Sequence, residues 1–296
     1  DLLRFASVKR AIAVWTGLGE TTAKEKIFDK TIQLMYRFLN DRQLARESLQ
    51  STDSIELYMA LWCTGFYNTD ELEGKVPHLI VNGKSHQVQT LFYYLRIIQS
   101  PLLTQRLCNL GVEHWHDDLS VMAALLSSYL GGLYYSRYHI QQEAPRWENY
   151  FSSLQEARQQ YEWLKTISRT MPAEKRFEPF VFPWDYCVLN RSLVADKMIL
   201  IAWMLNDAAL LDELCELAPT MLDSNSRDSF LLSIIRQPST PRQEAFVLQS
   251  LADRSDSTRK AALDIVEKMT LTPEQYRTLE EMLRLKYSEM RGRIIQ

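Results

Sequence analysis

Side chains able to cap a helix recur at a spacing of 32 through the C-terminal third of the chain, at Ser192, Ser224, Asp256 and Ser288. Seven positions on from each stands an apolar residue: Ile199, Leu231, Leu263 and Ile295. Arg227, Arg259 and Arg291 follow the last three caps by three positions, and Thr240-Pro241 and Thr272-Pro273 repeat at the same interval of 32. A Ser, Thr or Asp oxygen accepts from the orphan N–H groups of a first helical turn. Proline at the first helical position lacks only an N–H that would be unpaired anyway. Each unit therefore starts two helices, and a fixed period of this length means stacked helical hairpins, none of which buries its apolar face without a neighbour. The units run over 192–223, 224–255 and 256–287, and a fourth has begun at Ser288. Ile294 and Ile295 fall where core residues belong, whereas a solenoid ends in a cap with a polar outer face. The chain thus reads as a fragment whose parent continues beyond Gln296, and its opening on Asp1, with no initiator Met, reads the same way.

Composition agrees with a helical chain that has ample core material: 46% of its 296 residues are apolar, 24% charged, and only 9 are Gly and 10 Pro. No apolar run approaches the length of a membrane span and no signal peptide is visible, so no membrane partner is expected. Cys63, Cys108, Cys187 and Cys215 are scattered through apolar contexts without a Cys-x-x-Cys pair, which predicts buried free thiols and a cytoplasmic location. The net charge of −3 disfavours a whole-surface attraction to nucleic acid.

Before the regular array, residues 1–175 read as helical hairpins of irregular length, with helices over Leu2–Trp15, Lys26–Leu39, Thr52–Phe66, Val88–Gln99, Pro101–Leu110 and Leu119–Leu130. Thr22-Ala-Lys-Glu25 is a capping box opening the second of these. A long amphipathic helix is expected over Trp147–Thr170. The 32-residue register is not visible in this half. Residues 176–190 form a connector rich in aromatics that cannot be helical across Pro179 and Pro183. Asn82-Gly83, between Leu79-Ile-Val81 and Lys84-Ser-His86, is a two-residue turn signal that suggests a small β-hairpin near 79–86.

Chemical motifs are near misses. Gly83-Lys84-Ser85 ends like a phosphate loop, but His78 stands where its first Gly must be, and Gly17-Leu-Gly19 is followed by Thr22 rather than a third Gly. His114, His116, Asp117 and Asp118 have the residue types of a metal site, which would need an extended backbone and His139 folded back as a further ligand. The simpler reading is that Asp117 or Asp118 caps the helix starting at Leu119. No cofactor and no catalytic residue is expected.

The arginine column admits two readings. Arg227, Arg259 and Arg291 could form a basic ridge for phosphates or acidic peptides. Their place inside a first turn favours a structural ladder to acids or carbonyls of the adjoining repeat, with Asp223, Glu216, Asp253 and Glu280 as candidates.

The stretch Asp256-Ser-Thr-Arg259-Lys-Ala-Ala262-Leu263 resembles the second helix of HEAT repeats, with Ser224-Asn-Ser-Arg227 and Ser288-Glu-Met-Arg291 looser matches. Leu271–Ile295 is also similar to the helical-repeat region of large bacterial proteins related to the molybdate metabolism regulator family. The first likeness covers about a third of the chain, and it departs from HEAT in its 32-residue spacing against about 40 and in Ala195 replacing the first arginine. It implies a scaffold or receptor role. The expectation is an all-α chain of antiparallel helical hairpins stacked as a right-handed α-solenoid (HEAT/ARM-like), serving as a non-enzymatic interaction segment for a protein or peptide partner or another domain of its parent. The competing readings are a nucleic-acid groove of Arg227, Arg259, Arg284, Lys286, Arg291 and Arg293, and a metal-dependent enzyme around His114 and His116.

Overall fold

In the computed structural model, the described residues are 6–16, 26–67, 69–96, 98, 100–130, 143–171, 174–177 and 187–282. They form fifteen α-helices and one two-stranded sheet. The chain divides into two compact units, one of residues 1–132 with 175–189, the other of 133–174 with 190–296.

The second unit carries the periodic array. After α9 (Leu154–Thr170) come three hairpins: α10 (Arg191–Leu205) with α11 (Ala208–Met221), α12 (Ser224–Ser233) with α13 (Pro241–Ser250), and α14 (Asp256–Val266) with α15 (Pro273–Met282). Like helices stack on like, α10 on α12 on α14 and α11 on α13 on α15. This is the two-layer arrangement that a fixed repeat demands. The column of Ile199, Leu231 and Leu263 is buried in the first layer, each side chain less than 5% exposed. Ile295 lies outside the described residues.

The caps sit slightly upstream of the residues marked by the period. Asp223 accepts from Ser226 N at 2.8 Å and Ser255 from Thr258 N at 3.4 Å, so Ser224 and Asp256 are first-turn residues. At α10 the cap is Asn190, two residues before Ser192, accepting from Leu193 N at 2.7 Å. In both later repeats two cap-competent residues are adjacent in sequence, and the helix begins after the first of them. Thr240 and Thr272 are caps in place, bonding Gln243 N at 3.2 Å and Gln275 N at 3.3 Å.

The first unit contains α1 (Ala6–Trp15), α2 (Lys26–Asn40), α3 (Arg42–Glu47), α4 (Ser54–Tyr67), α5 (Thr69–Asn82), α6 (Ser85–Leu95), α7 (Pro101–Trp115) and α8 (Leu119–Ser128). Here too alternate helices stack: α2 on α4 on α6 on α8, with α5 on α7 in the other layer. The first-layer helices begin at Lys26, Ser54, Ser85 and Leu119, so the interval grows from 28 to 31 to 34 residues. The layout of the array is present without its fixed period, which is why no register shows in the sequence. The capping box at Thr22–Glu25 lies outside the described residues.

Three expectations are corrected. Residues 79–86 are not a β-hairpin: α5 runs through Pro77 to Asn82 and α6 starts at Ser85. Gly83 makes that two-residue junction, its N–H donating to Leu79 O at 2.8 Å, and a Cβ there would stand 2.3 Å from the same oxygen. The sheet is instead β1 (Glu174–Phe177) with β2 (Cys187–Asn190), which overlaps the start and forms the end of the region 176–190 expected to be the non-helical connector. Residues 178–186 lie outside those described. The long helix over Trp147–Thr170 is also interrupted, a short 3-10 turn at Trp147–Asn149 preceding the Ser153 cap of α9. Nor does α9 belong with the first 175 residues. Its buried stripe of Ala157, Tyr161, Leu164 and Ser168 packs on α10, which makes it the leading member of the second unit.

All four cysteines are free and buried. Burial pushes the thiols of Cys63 and Cys215 up to about 12. Because the thiolate is the reactive species, a disulfide-exchange reagent at pH 8 is expected to leave the folded protein unlabelled and to titrate all four thiols once denaturant is added. Rapid labelling of any one in the native state would show that its thiol is accessible to the reagent in the folded protein.

Candidate functional site

The arginine column lies at the starts of the first-layer helices of the array. Arg227, in the first turn of α12, donates from Nε and Nη2 to the two carboxylate oxygens of Asp253 at 2.9 and 3.0 Å, and from Nη1 to Leu222 O at 2.6 Å. Arg259, in the first turn of α14, donates from Nη1 to Asp253 O at 2.6 Å and pairs with Asp256. Each arginine thus closes the turn that leads into its own helix, and Arg227 also reaches forward to the next such turn. Asp253 is the shared anchor. Burial raises its pKa, but hydrogen bonds from Arg227 and from Ser255 N–H, with the charges of Arg227 and Arg259, outweigh that and hold the carboxyl below its usual range. Arg291, Arg284, Lys286 and Arg293 lie outside the described residues.

Of the acids expected as partners, it is Asp253 that meets the column. Glu216 pairs with Arg242 at 2.8 Å, and Asp223 caps α12. A second ladder, unmarked in the sequence reading, links the other layer. Gln243 and Gln275, 32 apart, each stand third in their helix. The Gln243 carbonyl accepts from Ser239 N and the Gln275 carbonyl from Thr272 N, both at 2.9 Å. Their amides reach back one hairpin, Gln243 to Asp212 at 3.0 Å and Gln275 to Glu244 at 2.8 Å. Gln87 in α6 repeats the device, accepting from Lys84 N at 2.9 Å and donating to Gln50 O and Ser51 O at 3.1 and 3.0 Å. The signal was available: Thr-Pro-x-Gln occurs at both 240 and 272.

The histidines do not converge. His114 stands in the last turn of α7, and His116 Nε2 lies 3.2 Å from Asp117 with both side chains exposed. Asp118 caps α8, accepting from Ser120 N at 2.9 Å and Val121 N at 3.1 Å, and from Ser85 Oγ of α6 at 2.7 Å. Burial works against its ionisation, yet the bonds from Ser120, Ser85 and the two backbone N–H groups bring its pKa below the usual carboxylate range. No group of three or more His, Cys, Asp or Glu side chains arranged to hold a metal occurs among the described residues. His139 lies outside them.

A groove of about 840 Å³ lies in the second unit, formed where the α12–α13 turn and the end of α14 run side by side. Leu232, Pro238, Ile265 and Met269 give it apolar surface, while Arg236, Lys268, Glu244, Asp264 and Glu267 bring both signs of charge to it. Its size falls in the range of ligand clefts. Its lining brings together apolar side chains and charges of both signs. Among the described residues no helix is long and apolar enough to cross a membrane.

No curated protein and no solved structure matches the chain. Its whole length, residues 1–296, matches the family of unknown function DUF5724, and the chain belongs to that family.

Proposed function

We propose that this chain is a non-enzymatic protein-interaction scaffold, acting in the cytoplasm, which holds a protein or peptide segment against the turns of its second unit. The observation that supports the reading is the engagement of Arg227 and Arg259 inside the fold, with a groove of mixed apolar and charged character at the other ends of α12 and α14. Guanidinium groups used in this way close turns and are not presented to a phosphate backbone, which argues against the nucleic-acid groove. Four buried free thiols suit a reducing compartment.

The test compares the full chain with a Met269→Asp variant in two assays. Affinity capture from cells of the source organism is expected to retain a defined protein with the wild type and to lose it with Met269→Asp, while circular dichroism shows the variant folded. Titration with generic duplex DNA at low salt is expected to show no binding that falls linearly in log–log with salt. Salt-dependent binding with no groove-dependent protein partner would replace the scaffold reading with nucleic-acid recognition.

A further inference from the structure

The helices of the first unit contain several Ser and Thr hydroxyls that point inward, and most are satisfied locally. Thr31 donates to Ile27 O at 3.0 Å and Thr90 to His86 O at 2.7 Å, the usual return of a helical hydroxyl to the carbonyl four residues back. Thr64 in α4 departs from this. It is 4% exposed, and its Oγ1 is buried with no hydrogen-bond partner among the described residues. Thr64 also lines a small cavity between α2, α3, α4 and α5, whose other walls include Phe38, Ala45, Arg46 and Glu71. A water-sized sphere has about 10 Å³ of room there. One water needs about 10–15 Å³ by that measure and two to four polar partners.

The polar side of the cavity can supply those partners. Arg46 holds Glu71 in a two-pronged pair, Nε to Oε2 at 2.9 Å and Nη2 to Oε1 at 2.7 Å. That geometry leaves the Nη1 protons of the guanidinium and one further lone pair on each carboxylate oxygen for a third participant. Arg42 and Cys63 complete the lining; the Cys63 thiol is already directed to Met35 O at 3.9 Å, and Phe38 and Ala45 offer nothing polar. We propose that this cavity is a specific hydration site, in which one long-lived water joins the Thr64 hydroxyl of α4 to the Arg46–Glu71 clasp between α3 and α5. The water completes a network across three helices at the point where α3, only six residues long, has little apolar surface of its own to fix it. It also accounts for a buried hydroxyl that would otherwise forfeit its hydrogen bond.

Thr64→Val tests the site because the two readings give opposite signs. The substitution keeps shape and removes the hydroxyl. If the cavity is dry, it removes a buried unsatisfied group and adds an apolar contact, so the denaturation midpoint rises. If a water is bound, it strips one of that water's partners, so the midpoint falls. The hydration site predicts a lower midpoint for Thr64→Val, and a count of long-lived internal waters by oxygen-17 relaxation dispersion that is one fewer than in the wild type. Thr64→Ser, which keeps the hydroxyl, is expected to retain the full count and so serves where Thr64→Val does not fold. A raised or unchanged midpoint, or an unchanged water count in Thr64→Val, or a count already one lower in Thr64→Ser, overturns the proposal.

Discussion

Replacing Gly111 by alanine is expected to destabilise the protein, and the same replacement at Gly74 to stabilise it. Both glycines are helical, Gly111 in α7 and Gly74 in α5, and by propensity alone each change should gain up to about 1 kcal/mol. The surroundings decide the sign. A Cβ on Gly74 meets nothing within 4 Å, so the gain in helix propensity is kept. A Cβ on Gly111 would stand 2.5 Å from Phe92 Cζ and 2.9 Å from Leu125 Cδ1, side chains of α6 and α8 that are themselves fully buried. Neither can retreat without moving its own helix, and overpacking of this kind costs roughly 1–3 kcal/mol, enough to reverse the propensity gain. The glycine is what lets α7 approach both helices closely. Urea titrations of the two variants, with m unchanged, should move the midpoint in opposite directions. A stabilised Gly111→Ala would show that α7 sits farther from α6 and α8 than described.

That contrast marks where the sequence stops being legible. The second unit could be read because its evidence is local and repeated. Thr-Pro marks a helix start whatever surrounds it, and Leu231 and Leu263 at a shared register imply a shared layer. Which of two adjacent residues caps, Asp223 or Ser224, Ser255 or Asp256, depends on how the preceding turn is anchored, and in both later repeats that anchor is an arginine bond to a turn carbonyl. Nothing in the string distinguishes them. The first unit keeps the same two-layer stacking, but with intervals of 28, 31 and 34 residues and an α3 of six residues no period survives to be found. Asn82-Gly83 was a sound turn signal with the wrong flanks, because β-branched Ile80 and Val81 close a helix that tolerates Pro77. The partner of the arginine column was among the named candidates, yet only the fold selects Asp253 over Glu216 and Asp223. The glutamine ladder went unread because Gln at the third helical position announces a cap, not the hairpin its amide will reach.

The second large effect is expected at the Arg227–Asp253 clasp, with a dependence on pH that identifies its cause. Arg227→Ala removes three hydrogen bonds and leaves the Asp253 carboxylate, only 16% exposed, without its two-pronged partner. Breaking a largely shielded, two-pronged pair from one side costs roughly 2 kcal/mol, between the values for exposed and for fully buried pairs. The pair Arg158–Asp207, whose arginine is 65% and whose aspartate is 20% exposed, is the control, and Arg158→Ala there should cost no more than about 1 kcal/mol. Asp253→Asn separates charge from shape. The folded pKa of Asp253 lies below its unfolded value, so its contribution is fully present above the unfolded pKa, near 3.9, and is lost as pH falls through the folded value. The wild type should therefore exceed Asp253→Asn in stability at pH 7, with the difference shrinking as pH drops below about 4. Asp53, Glu71 and Asp118 carry the same sign of shift, so Asp253→Asn still weakens in acid, but less steeply than the wild type. Parallel stability–pH curves for the two proteins would mean that the aspartate is as well solvated folded as unfolded. The column would then have to be reconsidered as a surface from which Arg227 and Arg259 can turn outward to a ligand.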